Sequence, residues 1–167
     1  YITPELYWAS EAGKTSTRNV ANTGHYNFSM WSWCGQQSTN SVETVNEYLA
    51  TMSAFEQEYP NMRFILMTGH TDGTPAEGIL YRNNNMVRNY ATTQGMVLFD
   101  FADIESYDPS GGGPYYNNGD GNCTWCVQYC HDHPGYCNSL PASCAHSDAQ
   151  PPQDRLFCKL KAQAFWW

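Results

Sequence analysis

Histidine, carboxylate and glycine stand together in Gly69-His70-Thr71-Asp72-Gly73-Thr74. An imidazole in such a turn can act as a general base, a hydrogen-bond donor to a substrate or a metal ligand. It can equally brace the turn through its ring nitrogens. A second polar turn, Cys34-Gly35-Gln36-Gln37, offers backbone N–H groups and a lone cysteine. A third, Ala102-Asp103-Ile104-Glu105-Ser106-Tyr107-Asp108, carries three carboxylates. These can orient a histidine, cap backbone N–H groups or ligate Ca²⁺, which prefers hard oxygen donors. Asp120, beside Asn117-Asn118-Gly119, could join Asp103 and Asp108 in such a site, although the spacing does not match an EF-hand loop. His146 follows Cys144-Ala145 late in the chain and could approach the same region.

The elements that must position these groups are legible in the hydrophobic pattern. Tyr26, Phe28 and Met30 alternate with polar residues and lead into Trp31-Ser32-Trp33, a strand pattern. If that strand is central, Asn27 and its Asn-x-Ser sequon are buried. Val42, Val45, Leu49, Met52 and Phe55 recur at helical spacing after a capping box at Asn40 and Glu43, and predict a helix over 41–58. The run over 63–68 reads as a buried strand. Residues 78–94 read as a helix that ends at Gly95, and 96–101 as a third strand. A last helix is predicted over 154–167 and a polar, partly helical lead-in over 1–24.

Strand–helix–strand–helix–strand is two βαβ units, whose right-handed crossovers make the strands parallel and adjacent. A parallel sheet calls for helices on both faces, so the expectation is a three-layer α/β sandwich forming one domain over 1–167. In such sheets ligands bind outside the carboxyl ends of the strands. All three polar turns follow strands and should therefore open on one edge.

Residues 107–153 change character, being rich in Gly, Pro, Asn and Cys. Six of the seven cysteines fall at 123, 126, 130, 137, 144 and 158. Zinc could use Cys123, Cys126, Cys130, His131 or His133, and Cys126-x-x-x-Cys130-His131 is one residue too long for haem attachment. Disulfides in an oxidised, extracellular or cell-surface protein are the favoured reading, with no pairing assigned. Cys34 is then either a buried thiol or a tie between the first turn and this insertion. The sequons at Asn27 and Asn122 would make the protein a glycoprotein if used.

Sixteen Asp and Glu against eight Lys and Arg leave a net charge of −8. That surface repels phosphate backbones, which argues against nucleic-acid binding. No apolar run is long enough for a membrane span. The chain opens at Tyr1 without Met, which suggests a processed or trimmed product.

Several segments together resemble a Cys-rich branch of secreted bacterial proteins related to the SGNH/GDSL hydrolases. They are Trp31-Ser32-Trp33-Cys34-Gly35-Gln36, the stretch from Met67 to Thr74, Phe99 to Pro109, Cys144-Ala145-His146-Ser147, and the ending from Lys161 to Trp167. The resemblance covers about residues 25–167. It implies a flavodoxin-like sandwich and a serine esterase acting on small or carbohydrate esters. Gly35 and Gln36 would stand near the oxyanion hole, His146 would be the base, and His70 with Asp72 would line the site. Trp33, Asp103, Glu105 and Tyr107 are the candidate substrate-binding residues. Nothing in residues 1–24 resembles the nucleophile segment, so the serine is expected outside this chain. Ser143 stands where the superfamily often has Asp. The alternative expectation is a non-catalytic module binding glycan, calcium or a neighbouring extracellular subunit, with Tyr107, Tyr115, Tyr116 and Trp125 stacking on sugars or packing at an interface. A third is a metalloprotein using His70, Asp72 and His146.

Overall fold

The computed structural model describes residues 2–116, 122–144 and 152–166. A short sheet of three parallel strands, β1 (Phe28–Met30), β2 (Arg63–Met67) and β3 (Leu98–Phe99), runs in the order β1-β2-β3. Helix α2 (Val42–Glu58) connects the first pair and α3 (Ile79–Gln94) the second. The protein is thus a mixed α/β fold with a small parallel sheet, as the alternation of elements predicts.

Several of the helices are bounded by their own chemistry. Ser41, one residue beyond the expected cap, accepts from Thr44 N–H at the start of α2. Gly95 ends α3 with φ 67°, a left-handed conformation that glycine adopts without steric cost. Asp100 stops β3 by accepting from Asp103 N–H, which caps a helix the apolar run had concealed, α4 (Phe101–Ser106). The polar lead-in contains α1 (Glu11–Ala21), capped by Ser10.

Register assigns the faces of the sheet. Phe64, Leu66 and Leu98 point to one side, where they pack with Val45, Tyr48, Leu49, Met52 and Phe55 of α2 and Val87 and Ala91 of α3. Both crossover helices therefore share a face. This follows from two crossovers of the same hand stepping in the same direction along the sheet. Trp8, Trp31, Trp33 and Tyr48 extend this core as edge-to-face and tilted rings with centroids 4.8–6.0 Å apart. The opposite side of the sheet carries Phe28, Met30, Ile65 and Phe99. There Phe165 of the last helix stands 6.2 Å from Phe99, ring centroid to centroid. Because β1 is an edge strand, Asn27 is exposed rather than buried.

The Cys-rich stretch is partly helical, with α5 (Cys126–Asp132) and α6 (Pro134–Cys137). Its cysteines pair 123–126, 130–137 and 144–158. The last bridge fastens the stretch to α7 (Leu156–Trp166), whose Leu156 and Phe157 close a second small core with Trp125 and the buried cysteines. Cys34 stays outside this framework as an exposed thiol.

Gly13 lies inside α1 against the turn at residues 4–6. A Cβ there would stand 2.3 Å from the Glu5 carbonyl oxygen and 2.8 Å from Tyr7 N. Helix propensity alone would make Gly13→Ala stabilising by about 1 kcal/mol. The contact is with backbone, which cannot step aside, so overpacking of about 1–3 kcal/mol should prevail. We expect the melting temperature to fall by several degrees; a rise would show that α1 does not seat on this turn.

Candidate functional site

The three turns meet at the carboxyl edge of the sheet, and direct hydrogen bonds tie each to the next. Ser38, in the 3-10 turn Gly35–Ser38, donates to Asp72 Oδ2. Asp72 Oδ1 accepts from the N–H of Thr74 at 2.9 Å and from its hydroxyl at 2.5 Å. Thr71 donates its N–H and its hydroxyl to Glu105 Oε2, both at 2.8 Å. Thr68 donates to Asp100 Oδ1 at 2.9 Å and accepts from Ala102 N–H at 3.0 Å.

Two adjacent asparagines on α3 hold the first two turns from behind. Asn84 brackets Gly69, accepting its N–H at 2.8 Å and donating to its carbonyl at 3.1 Å. Asn83 donates to the carbonyls of Gln37 and Asn40 at 2.9 and 3.0 Å. A Cβ on Gly69 would lie 2.7 Å from Gln37 Cβ, so the close approach of these turns requires glycine. Sequence reasoning missed both asparagines. Their signal was a run of poor helix formers, Asn83-Asn84-Asn85, which weakens the helical pattern over 78–94 without showing what the amides bind.

His70 sits half-buried on the second turn. Its Nδ1 is 2.8 Å from the Thr71 carbonyl oxygen, which can only accept, so Nδ1 carries the proton and Nε2 is the basic nitrogen of the neutral ring. Asp72 is drawn in opposing directions. Burial raises its pKa, but the hydrogen bonds from Ser38 and Thr74 and the nearby His70 together hold it below the ordinary aspartate value of 3.8.

The candidate substrate residues divide among three places. Trp33 is buried in the aromatic core with Trp8, Trp31 and Tyr48. Glu105 is wholly buried, and besides Thr71 it accepts from Lys161 Nζ at 2.6 Å. Its backbone carbonyl accepts from the Trp125 indole at 3.2 Å. Asp103 and Tyr107 line a groove of about 1110 Å³ between α4 and α7, together with Ile104, Leu160, Gln163 and Trp166. Gly35 is exposed in open space on the first turn, and Gln36 Oε1 accepts from Cys34 N–H. Between the second and third turns lies a small pocket of about 30 Å³, room for about one water. Thr71, Asn84, Arg88 and Ser106 supply its polar groups, and Tyr81 and Tyr116 meet edge-to-face beside it.

His146 and Asp120 lie outside the described residues. Asp108 binds its own turn, accepting from the N–H groups of Ser110 and Gly112 and from the Tyr115 hydroxyl. Trp125 is a buried member of the second core, so it is not a platform for a ligand. His131 and His133 are exposed. Among the described residues, no three His, Cys, Asp or Glu side chains gather as metal ligands. No described helix is long and apolar enough to cross a membrane.

Comparison with protein-family models, with curated proteins and with solved structures finds no match to this chain.

Two expectations test this construction. Lys161→Met leaves the buried Glu105 carboxylate without its ammonium and should cost about 3–5 kcal/mol in urea unfolding. Adding Glu105→Gln should recover much of that loss, because a neutral amide needs no counter-ion; no recovery would mean the pair is not coupled. For Asp72, a depressed folded pKa contributes stability that is present above pH 3.8 and lost as pH falls through the folded value. Asp72→Asn should therefore flatten the acid limb of the stability–pH curve below about pH 4, and an unchanged limb would contradict the Ser38–Asp72–Thr74 bonding.

Proposed function

We propose that the protein is an extracellular SGNH/GDSL-type domain that hydrolyses small or carbohydrate esters at the carboxyl rim of its sheet. The observation that carries this reading is the rim itself, where the turns after three parallel strands are locked together by Ser38–Asp72 and Thr71–Glu105. Rigid placement of this kind is what transition-state stabilisation requires. In this reading the backbone N–H groups of Gly35 and Gln36 face the developing oxyanion, His146 is the general base, and His70 with Asp72 lines the site. The nucleophilic serine is supplied from outside residues 1–167. The flavodoxin-like three-layer sandwich belongs to the same proposal. Three disulfides support an oxidising, extracellular setting.

A second reading, a non-catalytic glycan-binding or subunit-binding module, draws on a different observation. The carboxylates of Asp72, Glu105 and Asp108 are all engaged in bonds within the fold. Ser38, on the same rim, donates to a carboxylate rather than to an imidazole. The partly exposed Tyr107 and Tyr116 would then carry the binding.

Hydrolysis of p-nitrophenyl acetate by the full protein separates the two. The hydrolase reading expects turnover that rises with pH through the histidine range near about 6.5 and falls by at least about 100-fold in His146→Ala. Absence of turnover, or turnover indifferent to that substitution, would sink it. Glycan affinity retained in His146→Ala without turnover would favour the module.

A further inference from the structure

Between α4 and α7 runs an open groove of about 1110 Å³. Small-molecule sites commonly measure about 300–1,000 Å³ and are mostly apolar, with a few polar groups that fix orientation. This groove has that make-up. Ile104, Pro141, Leu160 and Ala162 line it, together with two aromatic side chains that stay open to solvent, Tyr107 at 38% and Trp166 at 85% exposure.

The two charged side chains of the groove are matched very differently. Lys159 donates to the Tyr136 carbonyl and, at 3.2 Å, to Ser139, and its ammonium stands 4.2 Å from the centre of the Tyr136 ring. That cation is engaged within the fold. The Asp103 backbone N–H bonds the Asp100 cap, but among the described residues the Asp103 carboxylate has neither a hydrogen bond nor an ion pair. Burial and the neighbouring Asp100 push its pKa above the ordinary 3.8, against a smaller pull from Arg88. Arg88 is itself bound to Asp100 at 2.6 and 2.9 Å. A carboxylate in this state is stabilised by an added cation.

These features select a class of ligand. An anion would meet Asp103 and a chain of net charge −8. A hard metal ion takes several oxygen ligands, and no such group gathers among the described residues. An ammonium carried on an apolar body suits every part of the groove. Its charge pairs with Asp103, the aromatic faces attract it as cation–π partners, and its body covers the apolar walls.

We infer that the groove between α4 and α7 binds an organic cation, an ammonium group on an extended apolar or aryl body, with Asp103 as its counter-ion and Tyr107 and Trp166 as aromatic walls. The groove is separate from the small rim pocket, so the inference does not depend on ester hydrolysis.

The test uses the full protein and dansylcadaverine, a fluorescent aryl group on a five-carbon stem that ends in an ammonium. N-butyl dansylamide serves as the neutral control and 6-(dansylamino)hexanoate as the anionic one. At neutral pH, emission and anisotropy should show saturable binding of the cation, at least about tenfold tighter than the neutral probe, with the anion weakest. Asp103→Asn should remove that preference and leave the neutral probe unchanged, because this carboxylate holds nothing else in the fold. Trp166→Ala should weaken cation and neutral probe alike. In the unsubstituted protein, hydrogen exchange should slow at residues 101–107 and 156–166 when the cation is bound, so the result does not rest on a variant folding. Equal affinity for the cationic and neutral probes, a preference that survives Asp103→Asn, or slowing confined to other segments would each overturn the inference.

Discussion

The Glu105 carboxylate is the point on which the rest of the molecule leans. It has no exposure to solvent, and its two oxygens look in different directions. One takes both donors of Thr71 on the turn after β2, and the other takes the Lys161 ammonium from α7. A buried carboxylate without partners costs several kcal/mol, so the native state must bring the second turn and the last helix to α4 together. Lys161 is held in turn by the faces of Phe101 and Phe157, 4.2 and 5.5 Å from its nitrogen. With Trp125 bonded to the Glu105 backbone, one residue links the sheet edge, the terminal helix and the disulfide-bonded unit. Only 14% of the residues are charged, so such a pair is a specific tie rather than one of many.

The same economy of charge shapes the rim. Arg88 and Asp100 form a bidentate pair at 2.6 and 2.9 Å, and Asp100 also receives Thr68 and caps α4. Neutral amides do the remaining positioning: Asn84 fixes both backbone groups of Gly69, and Asn83 fixes the turn before α2. Amides can satisfy a donor and an acceptor at once without the desolvation cost of a charge. That explains why residues unfavourable to a helix stand in its most buried stretch.

Much of the scaffold was legible before any coordinate. The spacing of Val45, Leu49, Met52 and Phe55, the run from Arg63 to Met67 and the glycine at 95 place α2, β2 and the end of α3 within a residue or two. What periodicity could not reveal was tertiary. The Trp31–Trp33 alternation resembles a longer strand, yet these rings leave the sheet to pack with Trp8 and Tyr48, and β1 stops at Met30. The apolar run through Phe101 concealed α4, because Asp100 ends the strand by capping a helix, a role that its type permits but its neighbours disguise. The cysteine pairing depended on three-dimensional proximity. Of the site, the convergence of three turns follows from parallel topology alone. The burial of Trp33 and Glu105 depends on which partners meet them, and no local pattern encodes that.

The order β1-β2-β3 has a consequence for any function at this edge. When successive crossovers step in one direction, their helices accumulate on one face and the strand order never reverses. A reversal of strand order is what opens a crevice at the carboxyl ends of a doubly wound sheet. Within the described residues the rim therefore closes over a pocket of about 30 Å³, and the larger concavity opens on the far side of the third turn, between α4 and α7. A substrate larger than a few atoms would have to rest on the rim rather than sink into it, with Gly35 and Tyr116 as its exposed margins. Chemistry at such a shallow edge depends on groups brought to it from elsewhere, because the polar side chains already there are largely engaged in holding the turns in place.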